Sequence, residues 1–102
     1  MSAKQLPKET IRDLLGIARA LYVVRDNQGA TTLELDRIRE VSAWLTEALE
    51  LARTRPDTLS HRAAWFKAER ATAALTELLI AHDEPTKRLV GAWAERFRAR
   101  TR

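Results

Sequence analysis

The chain has 102 residues, 45% hydrophobic and 31% charged, with three glycines, three prolines and no cysteine. This length suits one domain, able to bury roughly 64% of its unfolded surface. The missing cysteines exclude disulfide scaffolds, thiolate zinc sites and Cys nucleophiles. The formal charge of +4 is unevenly spread. Residues 1–84 carry 12 basic and 13 acidic side chains, whereas 85–102 carry six basic and one acidic. The basicity therefore belongs to the C-terminal segment. There is no apolar run of 18 residues, and the opening MSAKQLPKET has no signal-peptide core, so a cytoplasmic protein is expected. Arginine outnumbers lysine 14 to 4 amid many alanines and leucines, a bias of GC-rich bacterial genomes.

The first predicted helix covers 7–28. Pro7 suits a first turn, and Gly29 can close the helix in a left-handed conformation. Ile11, Leu14, Leu15, Ala18, Leu21 and Tyr22 share one face of it, with Ile17 and Val24 at the edge. Gly16, Ala20 and Val23 fall on the polar side, where they would permit close approach of another helix; we expect instead that they are small residues facing solvent.

Thr31 and Glu34 form a T-x-x-E capping box that opens a second helix over 32–54. Its core face holds Leu35, Ile38, Val41, Leu45, Ala48, Leu49 and Ala52. Leu33, Trp44 and Leu51 widen that face to roughly 200° at about 100° per residue. They serve either a third neighbouring helix or a partner. Pro56 ends this segment, and Asp57, Thr58 or Ser60 can cap a third helix over 59–82.

The third helix presents Ala64, Trp65, Ala68, Ala71, Leu75, Leu78 and Leu79 to the core. Phe66, Ala73 and Ile80 form a second stripe at seven-residue spacing, nearly opposite, between Glu69 and Arg70/Glu77. Aligned large apolar residues of this kind make a surface patch that fits a partner or a second copy of the chain.

Glu84-Pro85 breaks α geometry and places Pro85 at the first position of a helix over 85–100. Its stripe is Leu89, Val90, Trp93 and Phe97, surrounded by Lys87, Arg88, Arg96, Arg98, Arg100 and Arg102. Cations near a helix C-terminus complement its dipole. The same cations could contact an acidic protein groove, nucleic acid or an anionic membrane, with Trp93 and Phe97 inserted in the last case.

No run shows strand alternation. The fold class is all-α: an antiparallel four-helix bundle of three long helices and a shorter basic one, forming a single domain over 1–102. Residues 85–102 could be semi-independent. Ala-Trp recurs at 43–44, 64–65 and 92–93, but the spacings of 21 and 28 residues define no repeat.

Chemistry-bearing residues are sparse. His61 and His82, on one helix, stand about 31 Å apart at 1.5 Å per residue. Neither has the Glu three positions earlier that di-iron bundles use, and no phosphate loop, nucleophile elbow or H-E-x-x-H occurs. Only His82 with Asp83 and Glu84 leaves a metal conceivable; a helix-end capping role is the alternative. We therefore expect no catalytic residue, no cofactor and no metal. The expected function is a non-enzymatic protein–protein interaction or adaptor module, self-associating as a homodimer or binding a partner through Leu33, Trp44, Leu51, Phe66, Ile80, Trp93 and Phe97. The alternative is an anionic-surface binder acting through the C-terminal cations.

Overall fold

A computed structural model describes residues 8–51 and 59–101. It contains four helices: α1 (Lys8–Asn27), α2 (Thr32–Leu51), α3 (Leu59–Ile80) and α4 (Glu84–Thr101). The all-α bundle expectation is met. Pro7, Pro56 and the expected caps Asp57 and Thr58 lie outside the described residues, as does the predicted end of the second helix beyond Leu51.

The junctions follow local chemistry. After α1, Gly29 takes φ +78°. Its N–H donates to the Asp26 carbonyl at 3.1 Å, and the Ala30 N–H donates to the Arg25 carbonyl at 2.9 Å. These two bonds are a Schellman closure, which absorbs otherwise orphaned carbonyls and needs a residue tolerant of positive φ. At α2 the capping box is only half formed. The Glu34 N–H donates to Thr31 Oγ1 at 3.2 Å, but the Glu34 carboxylate turns away to Arg25. At α4 the cap is Asp83, whose Oδ1 accepts the Thr86 N–H at 3.0 Å. The helix thus starts one residue earlier than the Glu84-Pro85 step implies, with Glu84 in its first position and Pro85 in its second. The first turn needs no N–H from Pro85, so its ring fits there.

Consecutive helices α1–α2 and α2–α3 pack antiparallel: Arg25 meets Glu34, while Lys67 meets Glu47 and His82 meets Glu34. Helix α4 does not close the bundle between α1 and α3. It lies against the opposite side of α1, antiparallel to it, with Gln28 bonded to Thr86 at one end and Gly16 beside Phe97 further along. The helices therefore run α4–α1–α2–α3 across the molecule, with α3 only lightly touching α1. A radius of gyration of 14.2 Å, against about 12.8 Å for a compact chain of this length, reflects this open arrangement.

The core is built from Ile11, Leu15, Ala18 and Leu21 of α1, Ile38, Val41, Leu45 and Ala48 of α2, and Ala68, Ala71, Ala74 and Leu75 of α3. The expected solvent exposure of Gly16 and Ala20 is corrected. Ala20 is fully buried, and Gly16 lies in contact with α4. The small side chains let α4 approach closely, with Val90 and Ala94 buried on its facing side. Two further core assignments are corrected. Trp65 is exposed because α3 leaves a gap to α1 instead of packing on it, and Leu89 is exposed because α4 turns Thr86, Val90 and Ala94 inward.

Candidate functional site

Two places stand out, one polar and one apolar. The polar one gathers all four helices at one end of the molecule. Arg25 of α1 donates from Nε to Glu34 Oε1 at 2.6 Å and from Nη2 to Glu34 Oε2 at 2.9 Å. Its Nη1 also donates to Gln28 Oε1 at 2.8 Å. Gln28 Nε2 in turn donates to Thr86 Oγ1 of α4 at 3.2 Å. His82, just past α3, places Nε2 3.3 Å from Glu34 Oε1.

The bidentate Arg25 guanidinium holds the Glu34 carboxyl below the usual carboxylate range, and Glu34 reciprocally raises Arg25. Asp83 is likewise held down by its cap bonds to Thr86. A carboxylate stabilised in its charged form is a poor proton acceptor for catalysis, because its driving force for taking a proton is reduced. Among the described residues no group of three or more His, Asp or Glu side chains could hold a metal. His82, Asp83 and Glu84 diverge: His82 meets Glu34, Asp83 caps α4, and Glu84 sits 3.5 Å from Lys87. This cluster is a latch between helices. The side chain of His61 lies outside those described.

The apolar place is the outer face of α3. Phe66 is 64% exposed, Ile80 70% and Leu59 81%. Leu59, Phe66, Ala73 and Ile80 are seven residues apart in turn, so they form one gently drifting line about 20° per heptad off the helix axis. Leu59 was missed as part of this line because it was read only as a helix boundary; its seven-residue step to Phe66 was the available signal. The line sits opposite the buried side of α3. Beside it, a groove of about 370 Å³ runs between α1 and α3, walled by Ile11, Leu14, Trp65, Ala68, Thr72 and Ala73. The Thr72 hydroxyl is turned back onto the Ala68 carbonyl at 2.7 Å, which leaves the groove wall more apolar.

The remaining predicted contact residues divide by position. Leu33 is 82% exposed at the start of α2. Trp44 and Leu51 pack against the core along the α2–α3 seam, and Trp44 is flanked by Arg37 at 5.7 Å and Arg70 at 5.5 Å from its ring centroid. Trp93 and Phe97 also pack against the core, their rings 6.1 Å apart. Among the predicted cations, Lys87 pairs with Glu84, Arg96 lies 5.0 Å over Trp93, and Arg88 is exposed. The side chains of Arg98 and Arg100, and all of Arg102, fall outside the described residues.

Scans against protein-family models, curated sequences and solved structures return no match. Among the described residues no helix is long and apolar enough to cross a membrane.

Proposed function

We propose that the chain is a non-catalytic helical interaction module that binds through the outer face of α3. One observation carries this reading. The core is already filled by α1, α2 and the inner side of α3, yet Phe66 and Ile80 stand in line on the outer side. Large apolar side chains aligned in water invite a partner, since burying each would contribute about 1.5–3 kcal/mol. Interfaces depend disproportionately on such anchors.

The anionic-surface alternative has less support. Val90 and Ala94 of α4 are buried, with Trp93 and Phe97 partly buried beside them, which leaves Leu89 as the large exposed apolar side chain of α4 to meet lipid.

The test is the double variant Phe66→Ser/Ile80→Ser, compared with the parent by circular dichroism and by cross-linking to host proteins, itself included. Retained helicity with loss of the cross-linked species is the expected result. Unfolding of the variant, or a parent that cross-links to nothing, would overturn the proposal.

A further inference from the structure

The outer face of α3 matches itself. We infer that its occupant is a second copy of this chain, paired antiparallel about a twofold axis passing beside Ala73. This inference rests on reading that face as an interaction surface and adds the identity of the partner.

The register of α3 is symmetric about Ala73. Phe66 lies seven residues before Ala73 and Ile80 seven residues after it. A twofold axis at Ala73, perpendicular to α3, therefore sets Phe66 against Ile80 of the partner subunit, and by symmetry does so twice. The residue at the crossing point is alanine, the smallest side chain on the line, which lets the two helices approach.

The flanks decide the direction. In an antiparallel pair related by such an axis, each flank of a helix meets the same flank of its partner. Arg70 and Glu77 share one flank, three residues before and four after Ala73, so Arg70 faces Glu77 of the partner subunit within one residue's rise of about 1.5 Å. Glu69 and Thr76 share the other flank and meet in the same way; Thr76 Oγ1 donates to the Thr72 carbonyl at 2.8 Å, so this flank brings no like charges together and the charge pairing rests on Arg70 and Glu77. All four side chains are exposed or half-exposed and directed away from the core. The Arg70 guanidinium lies 5.5 Å from the Trp44 ring centroid, and the side chain is exposed.

A parallel pair would instead set Phe66 on Phe66, Ile80 on Ile80 and Glu69 against Arg70, with both helix dipoles aligned. Antiparallel pairing opposes the dipoles and matches an aromatic ring to an aliphatic chain. Closed twofold pairs are also the commonest assemblies of identical subunits.

One helix face is small for an interface, so the dimer should be weak, with a dissociation constant of about 10–100 μM. Sedimentation equilibrium of the full chain at low salt measures it. Arg70→Glu alone and Glu77→Arg alone should each weaken association about tenfold, because each creates two like-charge contacts. The double variant Arg70→Glu/Glu77→Arg should return to within about threefold of the parent, since the swap restores both pairs. In a parallel dimer the swapped Arg70 would face Glu69, and no such recovery would follow.

The chain has no native cysteine, so a second measurement reads the register directly. Mixing equal amounts of Phe66→Cys and Ile80→Cys under mild oxidation should give the mixed disulfide well above the twofold excess over each homodisulfide that random pairing produces. A chain that stays monomeric at about 500 μM, a charge swap without recovery, or a mixed fraction no greater than random pairing gives would overturn the inference. A monomer that cross-links to a different protein through Phe66 and Ile80 would overturn the self-pairing while leaving the interaction-module reading in place.

Discussion

Glu34 joins α2 to α1 and to the α3–α4 junction, so removing it tests whether the latch holds the helix ends together. The Arg25–Glu34 pair is bidentate, and each side chain is 22% exposed. That places it between two limits. Fully exposed pairs contribute about 0–1 kcal/mol, and breaking a fully buried pair costs about 3–5 kcal/mol. Gln28 remains as an acceptor for Arg25 when Glu34 is gone, which softens the loss. Glu34→Ala should therefore cost about 2 kcal/mol, a substantial part of the 5–15 kcal/mol typical of a small domain. For a chain of this size the melting temperature should fall by about 10 °C. Chemical denaturation of Glu34→Ala, Arg25→Ala and the double variant should give a coupling energy of about 1.5 kcal/mol. A coupling below about 0.5 kcal/mol would refute the latch.

The same pair sets a pH signature. Arg25 holds the folded-state value of Glu34 below its ordinary value of about 4.3. The stabilisation is thus complete above that ordinary value and is lost as the pH falls through the lower folded value. Stability of the parent should decline on acidification below about pH 5, and Glu34→Gln should decline less steeply. Parallel curves for the two proteins would show that Glu34 carries none of the acid sensitivity.

The backbone and the caps give four further outcomes. Gly29→Ala should lose about 1 kcal/mol by denaturant titration, because φ +78° strains any residue with a Cβ. Gly16→Ala should be neutral or gain up to about 1 kcal/mol, since a Cβ there meets Phe97 Cβ at 3.8 Å, an ordinary contact, while helix propensity improves. Gly16→Leu should instead displace α4 and lower the melting temperature. Asp83→Ala should speed amide exchange at Thr86, which donates its N–H to that carboxylate, and leave α2 unaffected.

The four helices were legible because Gly29 and Pro85 lie at helix ends and because α1 and α2 carry clear apolar periodicity. Ile38, Val41, Leu45 and Ala48 are buried as the pattern requires. The line of Phe66, Ala73 and Ile80 was also legible, because seven-residue spacing is visible without coordinates. The seat of α4 was not. Its landing strip on α1 includes Gly16 and Ala20, which add almost nothing to a hydrophobicity pattern and read as solvent-facing. The buried side of α4 includes Thr86 and Ala94, also weak signals, while bulkier Leu89 drew the stripe aside by about 45° at about 100° per residue. Nor could the pattern foresee that Glu34 would leave the capping box for Arg25, because a guanidinium nine residues earlier in the chain comes near only after α1 and α2 have paired.

The back of α1 also bears on how the chain comes together during synthesis. Helix α4 is the last of the four to emerge, so α1, α2 and α3 can associate while that side of α1 is still bare. Had the seat been lined with leucines, a sticky ridge would face the crowded surroundings of the ribosome until the final turns arrived. At Gly16 and Ala20 the waiting surface offers little for a stray chain to grip, and it gains hold only when Val90 and Ala94 settle against it. The small residues thus make a berth that is quiet while vacant and close-fitting once filled.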